Sequence, residues 1–215
     1  MKKLYIIGAG GFGREVAWLV ERINSVNKEW ELIGFIDDNV LTHGTLQNGY
    51  NVLGGCDYFK LTQEECHVIC CIGSAKIRKA VIEKLRKYPN VKFATLIDPG
   101  ALISDFVEIG EGSIICAGTI ATVNISIGNH VIINLDCTIG HDAILKDFVT
   151  IYPSVNVSGN VLVGECVELG TGTQIIQGKL IGDGTIVGAG AVVTKDLPDN
   201  CTAVGAPAKP IKFRE

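Results

Sequence analysis

Hydrophobic residues in this 215-residue chain follow two different periods, one in each half. Three short β-type runs lie in the first half, at residues 4–7, 31–36 and 67–72. Helical spacing marks residues 14–23, where Val16, Leu19, Val20 and Ile23 share a face, and residues 77–88. Strands that alternate with helices predict a small parallel sheet of Rossmann-like type over residues 1–95.

The second half repeats every six residues. Counting in sixes from Ile97 to Val193, sixteen of seventeen positions are Ile, Leu or Val, and the exception is Ala121. The position four residues further on is mostly small or β-branched. A period of six fits neither a helix nor a flat strand, and it predicts coils of three short strands with about 18 residues per turn. This β-helix is assigned to residues 96–198, and residues 199–215 are treated as a C-terminal tail.

Glycines support the coil. Of fifteen glycines between residues 97 and 198, fourteen fall one or three residues after the aliphatic position. Corners between strands need a positive φ or a close backbone approach, and glycine supplies both. Gly159 alone breaks the rule, because it sits two residues after Val157.

Composition narrows the class of protein. The net charge of −4 and a pI near 5.6 come without a basic stripe, so no nucleic-acid partner is expected. No run approaches the roughly 18 apolar residues of a membrane span, and the short apolar run after Lys2 and Lys3 stops at glycines, unlike a signal peptide. Eight cysteines show no zinc spacing, which favours free thiols in a reducing compartment. The expectation is a cytoplasmic protein without membrane insertion or metal.

Six segments carry a resemblance to a known family: IIGAGGFGREV (6–16), GFIDD (34–38), IGHD (139–142), VSGNV (157–161), VGAGAVV (187–193) and GAPAK (205–209). Over nearly its full length the chain resembles the bacterial hexapeptide-repeat sugar acetyltransferases of the NeuD and PglD type. The resemblance implies a left-handed β-helix, acetyl-CoA as co-substrate and a homotrimer with its sites between subunits. The unbroken repeat frame, which has no inserted loop to cover a site, agrees with a wall supplied by a neighbouring subunit.

One corner of the coil gathers candidate chemistry. His141 and Gly159 each lie two residues after an aliphatic position and are 18 residues apart, so they stack about 4.8 Å apart along the axis. Gln177 and Lys195 continue the column, which puts Lys195 roughly 14 Å from His141. A groove here could hold a pantetheine arm, with a base at one end and a cation for phosphate at the other.

Acetyl transfer from a thioester requires a general base and a donor for the oxyanion, and this corner offers candidates for both. A histidine titrates near neutrality, so His141 is the candidate general base, with Asp142 to orient the imidazole. The backbone N–H at Gly159 could meet the oxyanion. The family resemblance implies that Gly159, Thr171, Gly188, Ala189 and Gly190 lie along acetyl-CoA, and Lys195 is a further candidate. Asn134 is predicted to contact the acceptor.

The front half carries a second motif. Gly8, Gly10 and Gly13 match G-x-G-x-x-G between a strand and a helix, the context of a phosphate-binding turn, and Gly11 lies within it. Asp37 follows 24 residues after Gly13, near the place of a ribose-binding acid. In the family this domain holds the nucleotide of a UDP-sugar, so Asp37 and Asp38 are predicted to contact uracil or ribose. The alternative is a shortened sheet that kept the turn without the ligand.

The chain departs from relatives at two places. Some relatives have a second histidine where this chain has Thr150, and many read His-Pro where it has Asp98-Pro99. The first difference touches the detail of cofactor binding and leaves His141 in place.

Several functions remain open at this stage. The favoured one is acetyl transfer to the amino group of a nucleotide-linked sugar of the UDP-4-amino-sugar type, in surface glycan biosynthesis; a GDP- or dTDP-linked amino sugar is also compatible. O-acetylation of sialic acid or another free sugar is the main alternative, followed by a non-catalytic sugar-nucleotide-binding protein. A nicotinamide oxidoreductase leaves the β-helix unexplained. A zinc hydratase needs three histidines, and the two in the β-helix, His130 and His141, occupy different corners.

Overall fold

A computed structural model of the chain describes residues 1–62 and 64–214. The chain forms two compact units, Met1–Pro99 and Gly100–Glu215.

The first unit is a six-stranded sheet with two helices. Its strands are β1 Lys2–Ile7, β2 Trp30–Ile36, β3 Leu46–Gln47, β4 Tyr50–Gly54, β5 Cys66–Cys70 and β6 Val91–Phe93, and β7 Leu96–Ile97 follows. The helices are α1 Gly11–Val26 and α2 Ala75–Leu85, with short 3-10 turns at Val40–Thr42 and Cys56–Lys60. Within the sheet the order is β3-β4-β2-β1-β5-β6, parallel except for the β3–β4 hairpin. The predicted parallel sheet is confirmed, while β3, β4 and β6 were missed because their short stretches lack a clear period.

The glycine turn after β1 is a packing device as well as a candidate ligand site. A Cβ on Gly13 would overlap the carbonyl oxygen of Gly8, so only glycine lets α1 begin this close to the strand it follows. Gly8 itself has a φ of +100°, which L-residues rarely adopt. The turn therefore requires glycine at both positions whatever it binds.

Arg22 on α1 holds the end of the first unit. Its Nε and Nη2 donate to the two carboxylate oxygens of Asp98 at 2.7 and 2.9 Å, and the Asp98 side chain is 2% exposed. This bidentate pair raises the pKa of Arg22, chiefly through the hydrogen bond to Asp98. Asp98 thus has a structural role in the first unit.

We expect Arg22→Met to lower the free energy of unfolding by more than the loss of a surface ion pair does, because it leaves the buried Asp98 carboxylate without its bidentate donor. Urea denaturation followed by circular dichroism measures the change. Lys2→Met is the matched control, since Lys2 pairs with Glu29 on the surface of the same unit and such pairs contribute about 0–1 kcal/mol. Equal losses in the two variants would contradict the structural role of Arg22.

The second unit is a parallel β-helix with three faces. Face 1 contains β10 Ile114–Ile115, β13 Ile132–Ile133, β16 Thr150–Ile151, β19 Glu168–Leu169, β22 Ile186–Val187, β24 Cys201–Val204 and β25 Lys209–Phe213. Face 2 contains β8 Leu102–Ile103, β11 Ile120–Ala121, β14 Thr138–Ile139, β17 Asn156–Val157, β20 Gln174–Ile175 and β23 Val192–Val193. Face 3 contains β9 Val107–Ile109, β12 Ile125–Ile127, β15 Ile144–Leu145, β18 Leu162–Val163 and β21 Leu180–Ile181. From β8 to β23, strands pair in register with partners 18 residues away, as the six-residue period predicts.

The core of the β-helix is built from the two repeating inward positions. From Ile115 to Val193 every aliphatic position is at most 3% exposed, whereas Ile97, at the start of the repeat, is 40% exposed and belongs to the first unit. The second position supplies smaller side chains such as Val131, Ala143 and Val155. Where that position carries a hydroxyl, the hydroxyl donates to a carbonyl, as Ser113 does to Gly128 at 3.0 Å.

Corners use glycine for two separate reasons. Glycines one residue after the aliphatic position permit close contact between coils; a Cβ on Gly140 would lie 2.6 Å from the amide nitrogen of Gly159. The third position after the aliphatic residue has positive φ, as at Gly190 with +67° and Asp142 with +60°.

The predicted C-terminal tail is wrong, because residues 201–213 continue the fold. β24 pairs in parallel with β22, and β25 returns antiparallel to β24. Cys201, Ala203 and Ala208 are buried in the same core as the repeats. The C-terminal segment therefore closes the last coil and belongs to the second unit.

Candidate functional site

His141 and Asp142 form a hydrogen-bonded pair at the corner that follows face 2. Strand β14 ends at Ile139, and the turn of the corner then brings the two side chains together. Nδ1 of His141 lies 2.8 Å from Oδ2 of Asp142, and each side chain is about half exposed. The hydrogen bond to His141 is the largest of the effects that lower the pKa of Asp142, so this carboxyl is ionised at neutral pH. A carboxylate on Nδ1 fixes the tautomer and leaves Nε2 as the basic nitrogen.

Gly159 lies against the imidazole from the next coil. A Cβ built on Gly159 would be 2.5 Å from both Cε1 and Nε2 of His141, closer than real contacts allow. The backbone on either side of Gly159 is fixed, because Ser158 N donates to the Ile175 carbonyl at 3.1 Å and Asn160 N donates to the His141 carbonyl at 2.8 Å. Glycine at this one off-pattern position therefore lets the imidazole ring pack directly against the backbone of the next coil.

The amide N–H of Gly159 is a candidate oxyanion donor. The carbonyl of Gly159 accepts from Gly178 N at 3.0 Å, whereas the N–H of Gly159 has no acceptor within residues 1–62 and 64–214. Such a backbone donor next to a general base suits the charge that develops on a thioester oxygen.

In-register pairing of β14, β17 and β20 places Gly159 and Gln177 successively above His141. Lys195 follows β23, but the next inward residue, Leu197, pairs with Ile181 only 16 residues earlier, so this corner is two residues shorter and the place of Lys195 in the column stays a prediction. Lys195 is exposed, as a cation that meets phosphate needs to be.

The other predicted acetyl-CoA residues lie on a different corner. Thr171, Gly188, Ala189 and Gly190 follow strands of face 1, and Gly190 N donates to the Thr171 carbonyl at 2.8 Å on the neighbouring coil. Asn134 also follows a face 1 strand, β13, and its Oδ1 accepts from Leu135 N at 2.7 Å. Within one chain, the predicted site residues of the β-helix are thus divided between two corners. Thr150 on face 1 is 1% exposed.

A cavity of about 210 Å³ opens in the first unit at the carboxyl ends of β1, β2 and β5. In the sheet, β2 lies on one side of β1 and β5 lies on the other, so the direction in which successive strands are added reverses at β1. Ligands of open α/β sheets usually bind at the carboxyl ends of the strands beside such a reversal. The walls of the cavity are mostly aliphatic: they comprise Ile7, Gly8, Ile36, Asp37, Asp38, Cys56, Ile72, Ile77 and Val81.

The two predicted acids differ in what they contact. Asp37 accepts backbone N–H groups from Ala9 and Asn39, each at 2.9 Å, and so ties the end of β2 to the glycine turn. Asp38 accepts from Cys56 N at 2.7 Å and pairs with Lys84 at 3.1 Å. The Cys56 amide is the largest influence on the Asp38 carboxyl, and the pKa of Asp38 is lowered.

Gly10 caps α1 without a side-chain hydrogen bond, and the first turn of α1 carries no acidic residue. Backbone N–H groups at such a helix start are suited to an anion. Gly8, Gly10, Gly11 and Gly13 are therefore brought together with Asp37 at one end of the sheet.

Sequence reasoning missed several residues around these sites. Ile77 and Val81 of α2 line the cavity of the first unit, and Lys84 pairs with one of its acids. Asn124, one coil before Asp142, donates to that carboxylate. The 18-residue spacing was the signal that could have found Asn124; no comparable period links α2 to β2.

In the described part of the chain, no three His, Cys, Asp or Glu side chains group as metal ligands, and no helix is both long and apolar enough to span a membrane.

Comparison with known proteins gives the family. The chain is 32% identical to the GDP-perosamine N-acetyltransferase of Escherichia coli O157:H7 over 214 residues, which covers 96% of this chain and 95% of the relative. It belongs to the NeuD/PglD family of hexapeptide-repeat sugar acetyltransferases. A family profile for the PglD N-terminal domain matches residues 3–85.

Solved structures of the family agree over the whole length. The acetyltransferase domain of PglB from Neisseria gonorrhoeae FA1090 in complex with acetyl coenzyme A is 33% identical, with a TM-score of 0.87 and coverage of 98% of this chain and 99% of that one. PerB from Caulobacter crescentus in complex with CoA and GDP-perosamine is 29% identical, with a TM-score of 0.86 and coverage of 99% and 98%. The fold class predicted from sequence, a Rossmann-like unit before a left-handed β-helix, is confirmed, and so is the prediction of an acyltransferase. An oxidoreductase or a hydratase is therefore set aside.

Proposed function

We propose that this acetyltransferase moves the acetyl group of acetyl-CoA to an amino group of a nucleotide-linked sugar for surface glycan biosynthesis, a UDP- or GDP-linked 4-amino sugar being the acceptor class. The observation that carries the proposal is the His141 imidazole, held at Nδ1 by Asp142 and packed against Gly159, whose backbone N–H is a candidate oxyanion donor. Relatives named for N-acetylation of GDP-perosamine support the acceptor class.

His141 acts as the general base in this proposal. The acceptor nitrogen forms a bond to the thioester carbonyl carbon while Nε2 takes a proton from that nitrogen. The negative charge on the carbonyl oxygen is met by a backbone donor such as Gly159 N–H, while Asp142 stabilises the imidazolium. When the intermediate collapses, the C–S bond breaks and the imidazolium returns its proton to the CoA thiolate.

The first unit binds the nucleotide part of the acceptor. Its cavity offers aliphatic walls for a base, and the nearby start of α1 offers N–H groups for a diphosphate. Asp37 already accepts two backbone N–H groups and so stabilises the glycine turn. A contact of Asp37 to the base or the ribose would use its remaining lone pairs. Asp38 is the second acid at the same cavity.

Acetyl-CoA lies between subunits of a homotrimer in this proposal. The predicted residues on the face 1 corner, such as Thr171 and Gly190, and those on the face 2 corner, such as Gly159 and Lys195, do not share a corner within one chain. Packing the face 1 corner of one subunit beside the face 2 corner of the next would join both sets along one cofactor. A mass of three chains in sedimentation equilibrium is the expected result, and a stable monomer with full activity would contradict it.

Thiol release from acetyl-CoA with a panel of acceptors tests the function. The panel contains UDP-, GDP- and dTDP-linked 4-amino sugars and N-acetylneuraminic acid. We expect turnover with a nucleotide-linked amino sugar and an N-acetylated product by mass spectrometry. Turnover with N-acetylneuraminic acid alone would replace the proposal by O-acetylation. Binding of both ligands without any thiol release would indicate a non-catalytic protein.

A further inference from the structure

A side chain outside the expected catalytic pair contacts Asp142. Asn124 lies 18 residues earlier, one coil away on the same corner, and its Nδ2 donates to Oδ1 of Asp142 at 3.4 Å. The other carboxylate oxygen, Oδ2, accepts from His141. One carboxylate therefore bridges Asn124 and the candidate base.

The backbone aligns these two side chains. Asn124 and Asp142 both occupy the left-handed corner position, with φ of +56° and +60°. Asp142 N donates to the carbonyl of Val123 at 3.1 Å, which fixes the upper corner directly over the lower one. Equal backbone conformation at successive coils sends the two side chains in the same direction, so their contact follows from the repeat.

A second hydrogen-bond partner restricts the rotamers of the Asp142 carboxylate. Asp142 is adjacent to His141 in sequence and about half exposed, so its side chain has other rotamers open to it. A donor on Oδ1 favours the rotamer that keeps Oδ2 on the imidazole. Asn124 also helps to lower the pKa of Asp142, after the larger effect of His141.

We propose that Asn124 is a positioning residue: its side-chain amide holds the Asp142 carboxylate in the rotamer that keeps the His141 imidazole oriented for proton transfer. The inference rests on the proposed function for its kinetic consequence, while the geometry of the His141 ring can be measured without turnover.

Asn124→Gly is the variant that removes the amide at least structural cost. Glycine occupies the same left-handed corner position in other coils, at Gly118, Gly172 and Gly178, so the backbone accepts it. Asn200→Gly is the matched control, because Asn200 has a φ of +53° and lies away from the His141 corner. We expect Asn124→Gly to lower kcat about three- to tenfold, with KM for acetyl-CoA within about twofold, since one hydrogen bond to a charged group is lost. Asn200→Gly is expected to keep the kcat of the unaltered protein.

A double-mutant cycle with Asp142→Gly, which removes the acceptor at a left-handed position that glycine tolerates, separates positioning from a general structural effect. If Asn124 acts through Asp142, adding Asn124→Gly to Asp142→Gly changes kcat by less than about twofold, because the interaction is already lost. The full three- to tenfold loss in the Asp142→Gly background, or unaltered kcat in the single variant, would overturn the proposal.

The tautomer of His141 gives a readout that does not depend on the reaction. Long-range ¹H–¹⁵N spectra of the imidazole are expected to show the Nδ1–H form in the unaltered protein and a mixture of tautomers in Asn124→Gly. His141→Asn identifies the signal. An unchanged His141 spectrum in Asn124→Gly overturns the positioning role even if no acceptor is turned over, whereas a changed spectrum without any turnover supports the role and refutes only the proposed reaction.

Discussion

Replacing His141 with alanine is expected to lower kcat by about two to four orders of magnitude, the usual contribution of a positioned general base. The attacking amine then has no imidazole on this corner to take its proton, and a carboxylate such as that of Asp142 is too weak a base at neutral pH to replace it. Steady-state thiol release with a nucleotide-linked amino sugar measures the loss.

The fold is expected to survive this change. The His141 side chain is 50% exposed and packs on Gly159, so its removal opens no buried cavity. Circular dichroism and the thermal midpoint should match those of the unaltered protein, and acetyl-CoA should still bind. Near-normal turnover in His141→Ala would contradict the assignment of His141 as the general base.

Replacing Gly159 with alanine is the second change with a large expected effect. The new methyl group would lie 2.5 Å from Nε2 of His141, and ordinary contact at about 3.5–4.0 Å requires a shift of roughly 1 Å. A displacement of about 1 Å at a reacting group can lower the rate about 10²-fold, so kcat should fall by that order. Single-turnover kinetics at saturating acetyl-CoA would separate this loss from weaker binding.

Gly140→Ala is the matched control for this second variant. Both glycines lie at the same corner, yet a Cβ on Gly140 meets the backbone nitrogen of Gly159, whereas a Cβ on Gly159 meets only a side chain that can rotate. Gly140→Ala should therefore lower the thermal midpoint, and Gly159→Ala should lower kcat with the midpoint nearly unchanged. The opposite pattern would show that Gly159 serves packing alone.

The split of predicted residues between corners bears on how the site is completed. His141, Gly159 and Lys195 follow face 2, whereas Asn134, Thr171 and Gly190 follow face 1. A groove along one corner of a single chain cannot hold both sets. The proposed trimer accounts for the division, because Lys195 of one subunit and Gly190 of the next could then contact the same acetyl-CoA molecule.

The repeat made much of the second unit predictable from sequence. A period of six, with 18 residues per coil, converts distance along the chain directly into position on a corner. This is why the alignment of His141 with Gly159 and Gln177 followed from counting, and why the in-register pairing of β14 with β17 and of β17 with β20 agrees with it. In the first unit, apolar runs and helical spacing sufficed for β1, β2, β5 and both helices.

Contacts between elements without a shared period were decided only by the tertiary structure. The Arg22–Asp98 pair joins residues 76 positions apart, and Lys84 of α2 reaches Asp38 after β2. Nothing in the spacing of those residues relates them, because their separation in space depends on how a helix packs on a sheet. The same holds for the C-terminal segment, whose strands β24 and β25 carry no hexapeptide signal and form through pairing with β22. Sequence alone therefore determined the two halves and the corner that carries His141, because a repeat fixes the register of each coil locally. Long-range packing decided which residues pair with Asp98 and Asp38 and where the C-terminal strands lie.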